Sequence, residues 1–75
     1  MEGEIPLTKN DRIEFMLGVT MEYSELTGIP LDETARMFID NNVYQYLDRG
    51  SKCFISRTYR YMARDVAKEF DLPMA

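Results

Sequence analysis

The stretch DRIEFMLGVTMEYSELT, residues 11–27, carries more apolar surface than a helix lying on the outside of a protein can use. Wound as a helix, it places Ile13, Met16, Leu17 and Thr20 on one side and Phe15, Val19 and Leu26 on another. Asp11, Glu14, Gly18, Glu22 and Glu25 share the narrow polar strip that remains. A surface helix needs an apolar arc of only ~100°, and this one is apolar over roughly twice that. It must be covered by more than one neighbour, so the rest of the chain is expected to wrap around it.

Punctuation marks out the neighbours. Thr8 or Asn10 can cap the first helix, and Thr8 with Asp11 resembles a capping box. Gly28 ends the helix, and Ile29-Pro30 starts a new segment. The second helix, 31–41, places Leu31, Ala35, Phe38 and Ile39 on its apolar face, with Asp32, Arg36 and Asp40 opposite. Asn41-Asn42 is a stop signal, because Asn tolerates the left-handed conformation. Val43, Leu47, Gly50 and Phe54 recur at helical spacing and predict a third helix over 43–54, with a stop at Asp48 as the alternative. Ile55, Tyr59, Met62, Val66 and Phe70 form one face of a fourth helix over 56–70, with Ser56 as its cap. The expected fold is all-α, a bundle of four short helices (9–27, 31–41, 43–54, 56–70) without a sheet. Residues 1–8 are expected to be a flexible arm preceding a single helical domain at 9–72.

Composition narrows the chemistry. With 75 residues the core is marginal, since a chain this size buries only ~60% of its unfolded surface. Self-association would stabilise it, so a homodimer is one expectation. There is no histidine, which removes the commonest general base and the commonest metal ligand. The single cysteine, Cys53, excludes an intramolecular disulfide and every cysteine-cluster zinc pattern, and reads as a small buried hydrophobe. The six methionines read mainly as core filler. No phosphate-cradling loop, nucleophile elbow or metalloprotease motif occurs. Tyr44, Tyr46, Tyr59 and Tyr61 suit a core edge or an interface better than acid–base work. The expectation is a non-enzymatic chain with no cofactor and no metal. The N-terminus has no apolar segment of signal-peptide type, and no apolar run approaches ~18 residues, so a cytoplasmic protein without a membrane span is expected.

Charge is unevenly divided. The net charge is −4, yet residues 1–48 hold only Lys9, Arg12 and Arg36 as cations, whereas Arg49, Lys52, Arg57, Arg60, Arg64 and Lys68 crowd the last third. On the last helix Arg57, Arg60, Arg64 and Lys68 line up opposite the apolar face. Such a stripe is either a solvated face or a contact for an acidic partner or phosphates. The expected partner-binding surface joins Phe15, Val19 and Leu26 to Arg57, Arg60, Arg64 and Lys68, for another protein or a second copy. The alternative is a small DNA-binding regulator, because residues 31–50 lay out like a helix-turn-helix: ETARMF, the NN turn, then VYQYLDRG. That reading meets an apolar recognition helix, a turn without glycine, and an acidic chain.

IEF at 13–15, EY at 22–23, the GIP turn before ETARMF, NNVYQYL at 41–47 and YMARDVAKEF at 61–70 together resemble a family of small bacterial domains, domain of unknown function family 3791. Val43, Tyr46, Leu47, Tyr61, Met62, Asp65 and Val66 stand where that family's V-x-D-Y-[IL] and Y-[IL]-x-x-D-[IL] patterns place them. The chain departs from the family's L-H-T-x-G turn, having Phe54-Ile55-Ser56-Arg57-Thr58 there. No role of that histidine carries over. The resemblance spans residues 11–70 and implies a non-enzymatic accessory module, with an antitoxin-like role beside effectors of ADP-ribosyltransferase type.

Overall fold

In the computed structural model, which describes residues 8–74, five helices and no strand are present among the described residues. Helix α1 spans Lys9–Thr27 and opens on the expected capping box. The Asp11 N–H donates to Thr8 Oγ1 at 3.0 Å, and the Thr8 N–H donates to Asp11 Oδ2 at 3.1 Å. Thr8 therefore belongs to the helix start rather than to an arm, and the rest of the expected arm lies outside the described residues. Gly28 closes α1 at φ 80, a left-handed conformation that costs a residue with a Cβ about 1 kcal/mol or more. Two side chains tie down the turn that follows: Ser24 Oγ donates to the Ile29 carbonyl at 2.6 Å, and Thr27 Oγ1 accepts from the Ile29 N–H at 3.1 Å.

Helix α2, Leu31–Asp40, begins directly after Pro30, whose carbonyl accepts from the Thr34 N–H. Asn42, at φ 61, turns the chain into α3, Val43–Arg49. The expected single helix over 43–54 is interrupted at Gly50, giving α3 and a one-turn α4, Ser51–Phe54. The Phe54 ring folds back over Gly50, into the space a Cβ there would need. Helix α5, Tyr59–Phe70, starts later than the expected 56. Thr58 is its cap, accepting from the Tyr61 N–H at 3.0 Å, while the Ser56 hydroxyl donates backwards to the Cys53 carbonyl and finishes α4 instead.

Helix α1 is the centre of the bundle. It packs on α5, α2 and α3, burying Phe15, Val19, Thr20 and Tyr23 among Phe38, Val43, Leu47, Met62, Ala63 and Val66. The Phe38 ring lies edge-on between Tyr23 and Tyr44, with centroids 5.1 and 5.6 Å away. Such aromatic pairs add about 0.5–1.5 kcal/mol each beyond the area they bury. Thr20 spends its only hydrogen on the Met16 carbonyl at 2.7 Å, so the Tyr44 hydroxyl, 2.6 Å away, is the donor in their contact. Every buried side-chain nitrogen and oxygen among the described residues has a partner.

On α2 the buried pair is Thr34 and Phe38; Leu31 and Ile39, expected to share the apolar face with Phe38, are exposed. The face is turned because α2 has to serve both α1 and α3, and the Thr34 hydroxyl finds the Ile29 carbonyl at 3.3 Å. Cys53 is exposed on α4 rather than buried, since so short a helix presents only Ser51 and Phe54 to the core. The two neighbours on α2 offer a test. Phe38→Ala is expected to cost about 3–5 kcal/mol, as removal of a buried ring does. Ile39→Ala, which removes an exposed side chain, should stay within about 0.5 kcal/mol. Urea unfolding followed by circular dichroism separates the two outcomes.

Candidate functional site

Two exposed faces stand out, and neither coincides fully with the surface expected from the sequence. Phe15 and Val19 are 1% and 0% exposed, and Leu26 is half-buried against the core. These residues form the inside of the molecule. The reason lies in bulk: Phe15 and Tyr23 are the largest fully buried side chains of α1, and α5, α2 and α3 close over them. Of the other stripe, Thr20 is buried and Met16 half-buried, while Ile13 and Leu17 are left outside. Ile13, Leu17 and Met21 follow each other at four-residue steps and are 49%, 51% and 51% exposed.

Met16 and Tyr44 give this open stripe a wall. With Ile13 and Leu17 they line a shallow depression of ≈ 230 Å³. It runs into a larger hollow of ≈ 370 Å³ that Lys9, Arg12, Gln45 and Asp48 also line. The Arg12 guanidinium spans that hollow to Asp48 at 3.2 Å. Both partners are well exposed, so the pair contributes about 0–1 kcal/mol and can be exchanged for other contacts. On the other flank Tyr59 lies over Gly18, where any Cβ would collide with the ring. Half-exposed Tyr59 thus widens the apolar face towards α5.

The second face is cationic. Arg57, Arg60, Arg64 and Lys68 are all exposed, as expected, but the structure gives them different settings. The Arg57 guanidinium sits over the Phe54 and Tyr61 rings, 5.4 and 5.2 Å from their centroids. Arg60 Nε donates to Glu22 Oε2 on α1 at 3.2 Å. Arg60, Arg64 and Lys68 line one side of a groove of ≈ 450 Å³, with Thr58, Tyr61 and Asp65 completing it.

Asp65 is engaged from below. The Tyr46 hydroxyl, on α3, donates to Asp65 Oδ2 at 2.8 Å, and the Tyr46 ring lies between Phe54 and Phe70 with both centroids 5.2 Å away. Burial pushes the Tyr46 hydroxyl up to about 12, helped by the hydrogen bond to Asp65 and the charges of Asp65 and Glu69, with Arg57 opposing. Tyr46 therefore keeps its proton throughout the physiological range, and that proton is directed to a carboxylate. Burial also raises Tyr23, whose hydroxyl donates to the Pro73 carbonyl. The Tyr46 phenol ties α3 to α5, and the Tyr23 phenol ties α1 to the segment that follows α5.

The segment laid out like a helix-turn-helix has the right order of elements but little to present. On α3, Val43 and Leu47 are buried and Tyr44 and Tyr46 are half-buried. Gln45, Asp48 and Arg49 are its exposed side chains, and Asp48 is paired with Arg12. Among the described residues no group of three or more Cys, Asp or Glu side chains is placed to hold a metal ion, and no helix is long and apolar enough to cross a membrane. No family model matches the chain, and no curated protein or solved structure matches it either.

The Tyr46 tie has a consequence at alkaline pH. In the unfolded chain a tyrosine loses its proton near 10.0, whereas folded Tyr46 holds it to about 12. Between those values the unfolded state binds fewer protons, so stability falls as pH rises. The contribution is complete below pH 10.0 and is lost as pH approaches about 12. Tyr46→Phe should flatten this part of the stability profile, measured by urea unfolding at successive pH values.

Proposed function

We propose that this chain is a non-catalytic protein-interaction module that works in the cytoplasm by docking another protein, or a second copy of itself, on the open face of α1. The observation that carries this reading is the line of Ile13, Leu17 and Met21, three large apolar side chains about half exposed on one helix whose opposite face forms the core. Contiguous apolar surface rimmed by polar groups marks interaction sites, whereas singly scattered apolar residues mean nothing. Here the line is extended by Met16 and Tyr44. The resemblance to domain of unknown function family 3791 carries the same implication, an accessory and antitoxin-like partner. Tyr46 and Asp65, two of the positions that resemblance rests on, hydrogen-bond to each other across α3 and α5, which gives them a role in holding the fold.

The alternative, a small DNA-binding regulator built on residues 31–50, has weaker support. Its reading helix would offer only Gln45, Asp48 and Arg49, in a chain of net charge −4.

The test uses Leu17→Glu and Met21→Glu. Both sites are half exposed, so each variant should unfold within about 0.5 kcal/mol of wild type. Sedimentation of the purified chain and crosslinked capture from a native lysate are compared for wild type and variants, with nuclease present. A stoichiometric complex, with itself or a defined protein, should form with wild type and weaken at least about tenfold in each variant, the cost of placing an unpaired charge in a desolvated contact. A complex that survives both substitutions would place the docking surface elsewhere.

A further inference from the structure

The groove on α5 can be read separately from the apolar face of α1. We infer that it is a docking site for an acidic helical segment of a partner protein, with Arg60, Arg64 and Lys68 as the residues that set its register.

Spacing is the first argument. The three cations stand four residues apart on a regular helix, so they advance about 6 Å per step and about 12 Å in all. Carboxylates at four-residue steps on a second helix advance equally, so one segment lying along the groove meets all three. The groove beside them is ≈ 450 Å³, and Tyr61 and Thr58 give it an apolar wall and a hydroxyl at one end. An extended peptide has less to gain, because the described residues contain no strand edge to lend it main-chain hydrogen bonds.

Availability is the second argument. Asp65, the carboxylate on the groove wall, accepts the Tyr46 hydroxyl, and Arg64 and Lys68 have no carboxylate within salt-bridge distance among the described residues. Arg60 reaches the half-buried Glu22 through its Nε, but its own side chain is 63% exposed and can be shared by a partner carboxylate. Arg57 is engaged separately, stacked on Phe54 and on Tyr61, whose ring also lines the groove.

Charge distribution selects the class of partner. A nucleic acid is a long polyanion, and it would feel the acidic remainder of a chain whose net charge is −4. A short acidic helix covers only the cationic patch, and beyond about 8–10 Å the other carboxylates are screened at physiological salt.

The experiment uses the full chain and fluorescence anisotropy. The probe is a labelled, alanine-based helical peptide with three glutamates at four-residue steps, beside the same peptide with glutamines and a duplex of about 12 base pairs. The glutamate peptide should bind in low salt, weaken as salt is raised, and bind at least about tenfold more tightly than the glutamine peptide. Arg64→Glu with Lys68→Glu should abolish that preference. Arg64→Gln with Lys68→Gln should reduce it by an intermediate factor, with circular dichroism confirming that both variants fold. Leu17→Glu should leave peptide binding unchanged, so loss of the α1 interaction and loss of this one are read independently. Equal binding of the two peptides, binding insensitive to the charge reversal, or tighter binding of the duplex than of the glutamate peptide would each overturn the inference.

Discussion

The structure depends on the seam between α1 and α5. Helix α5 buries Met62, Ala63, Val66 and Ala67, and α1 is its main neighbour. Two alanines four residues apart let the helices approach closely. At the start of the seam the Tyr59 ring occupies the space that Gly18 leaves by having no side chain. At its end the chain beyond α5 crosses back, and the Tyr23 hydroxyl holds the Pro73 carbonyl while Leu72 and Met74 pack on the core. Tyr23 is thus both the largest fully buried side chain and a latch on the C-terminal segment. Without α5 the heaviest stripe of α1 would face water, and α2 and α3 could not cover it alone.

That seam also explains why an apolar face remains outside. Helix α1, with 19 residues, is about 28 Å long, while α5, with 12, reaches about 18 Å. The remaining helices are shorter still. Together they can close over one side of α1 and part of its flanks, but a helix apolar over so wide an arc has more surface than they can cover. The bulk of Phe15 and Tyr23 goes inside, and Ile13, Leu17 and Met21 are what the bundle leaves over. The exposed face is therefore a direct consequence of how much apolar surface the sequence assigns to a single helix.

The same excess of apolar surface marks the limit of what can be read from the sequence. Boundaries set by local chemistry were legible: the Thr8–Asp11 box, the left-handed Gly28, the Asn42 turn and the cationic side of α5 stand where the residues say. Where two local signals compete, the sequence is ambiguous. Ser56 and Thr58 can both cap α5, and only the turn that closes α4 decides between them. Gly50 is compatible with a continuous helix until the Phe54 ring needs its space. Faces were least legible. On α1 apolar residues occupy all but a narrow polar strip, so periodicity does not single out one buried face, and side-chain bulk was the better guide. Thr34 was hidden for a different reason: it is buried through a hydrogen bond to Ile29 that composition cannot foresee.

The uneven charge of the chain has little to do with holding it together. Among the described residues the ion pairs between helices are Arg12 with Asp48, which is exposed and therefore weak, and Arg60 with the half-buried Glu22, while the core is apolar and aromatic with its hydroxyls satisfied. Removing the Arg12–Asp48 pair would change stability by less than about 1 kcal/mol, which the core contacts of Phe38 outweigh. A charge pattern that contributes so little to folding can be rearranged at little cost when another surface arrives. Arg60 can leave Glu22 for a carboxylate outside the molecule, and Arg64 and Lys68 need break no salt bridge among the described residues to do the same. The cations of α5 are thus held in position by the core beneath them and left available at their tips.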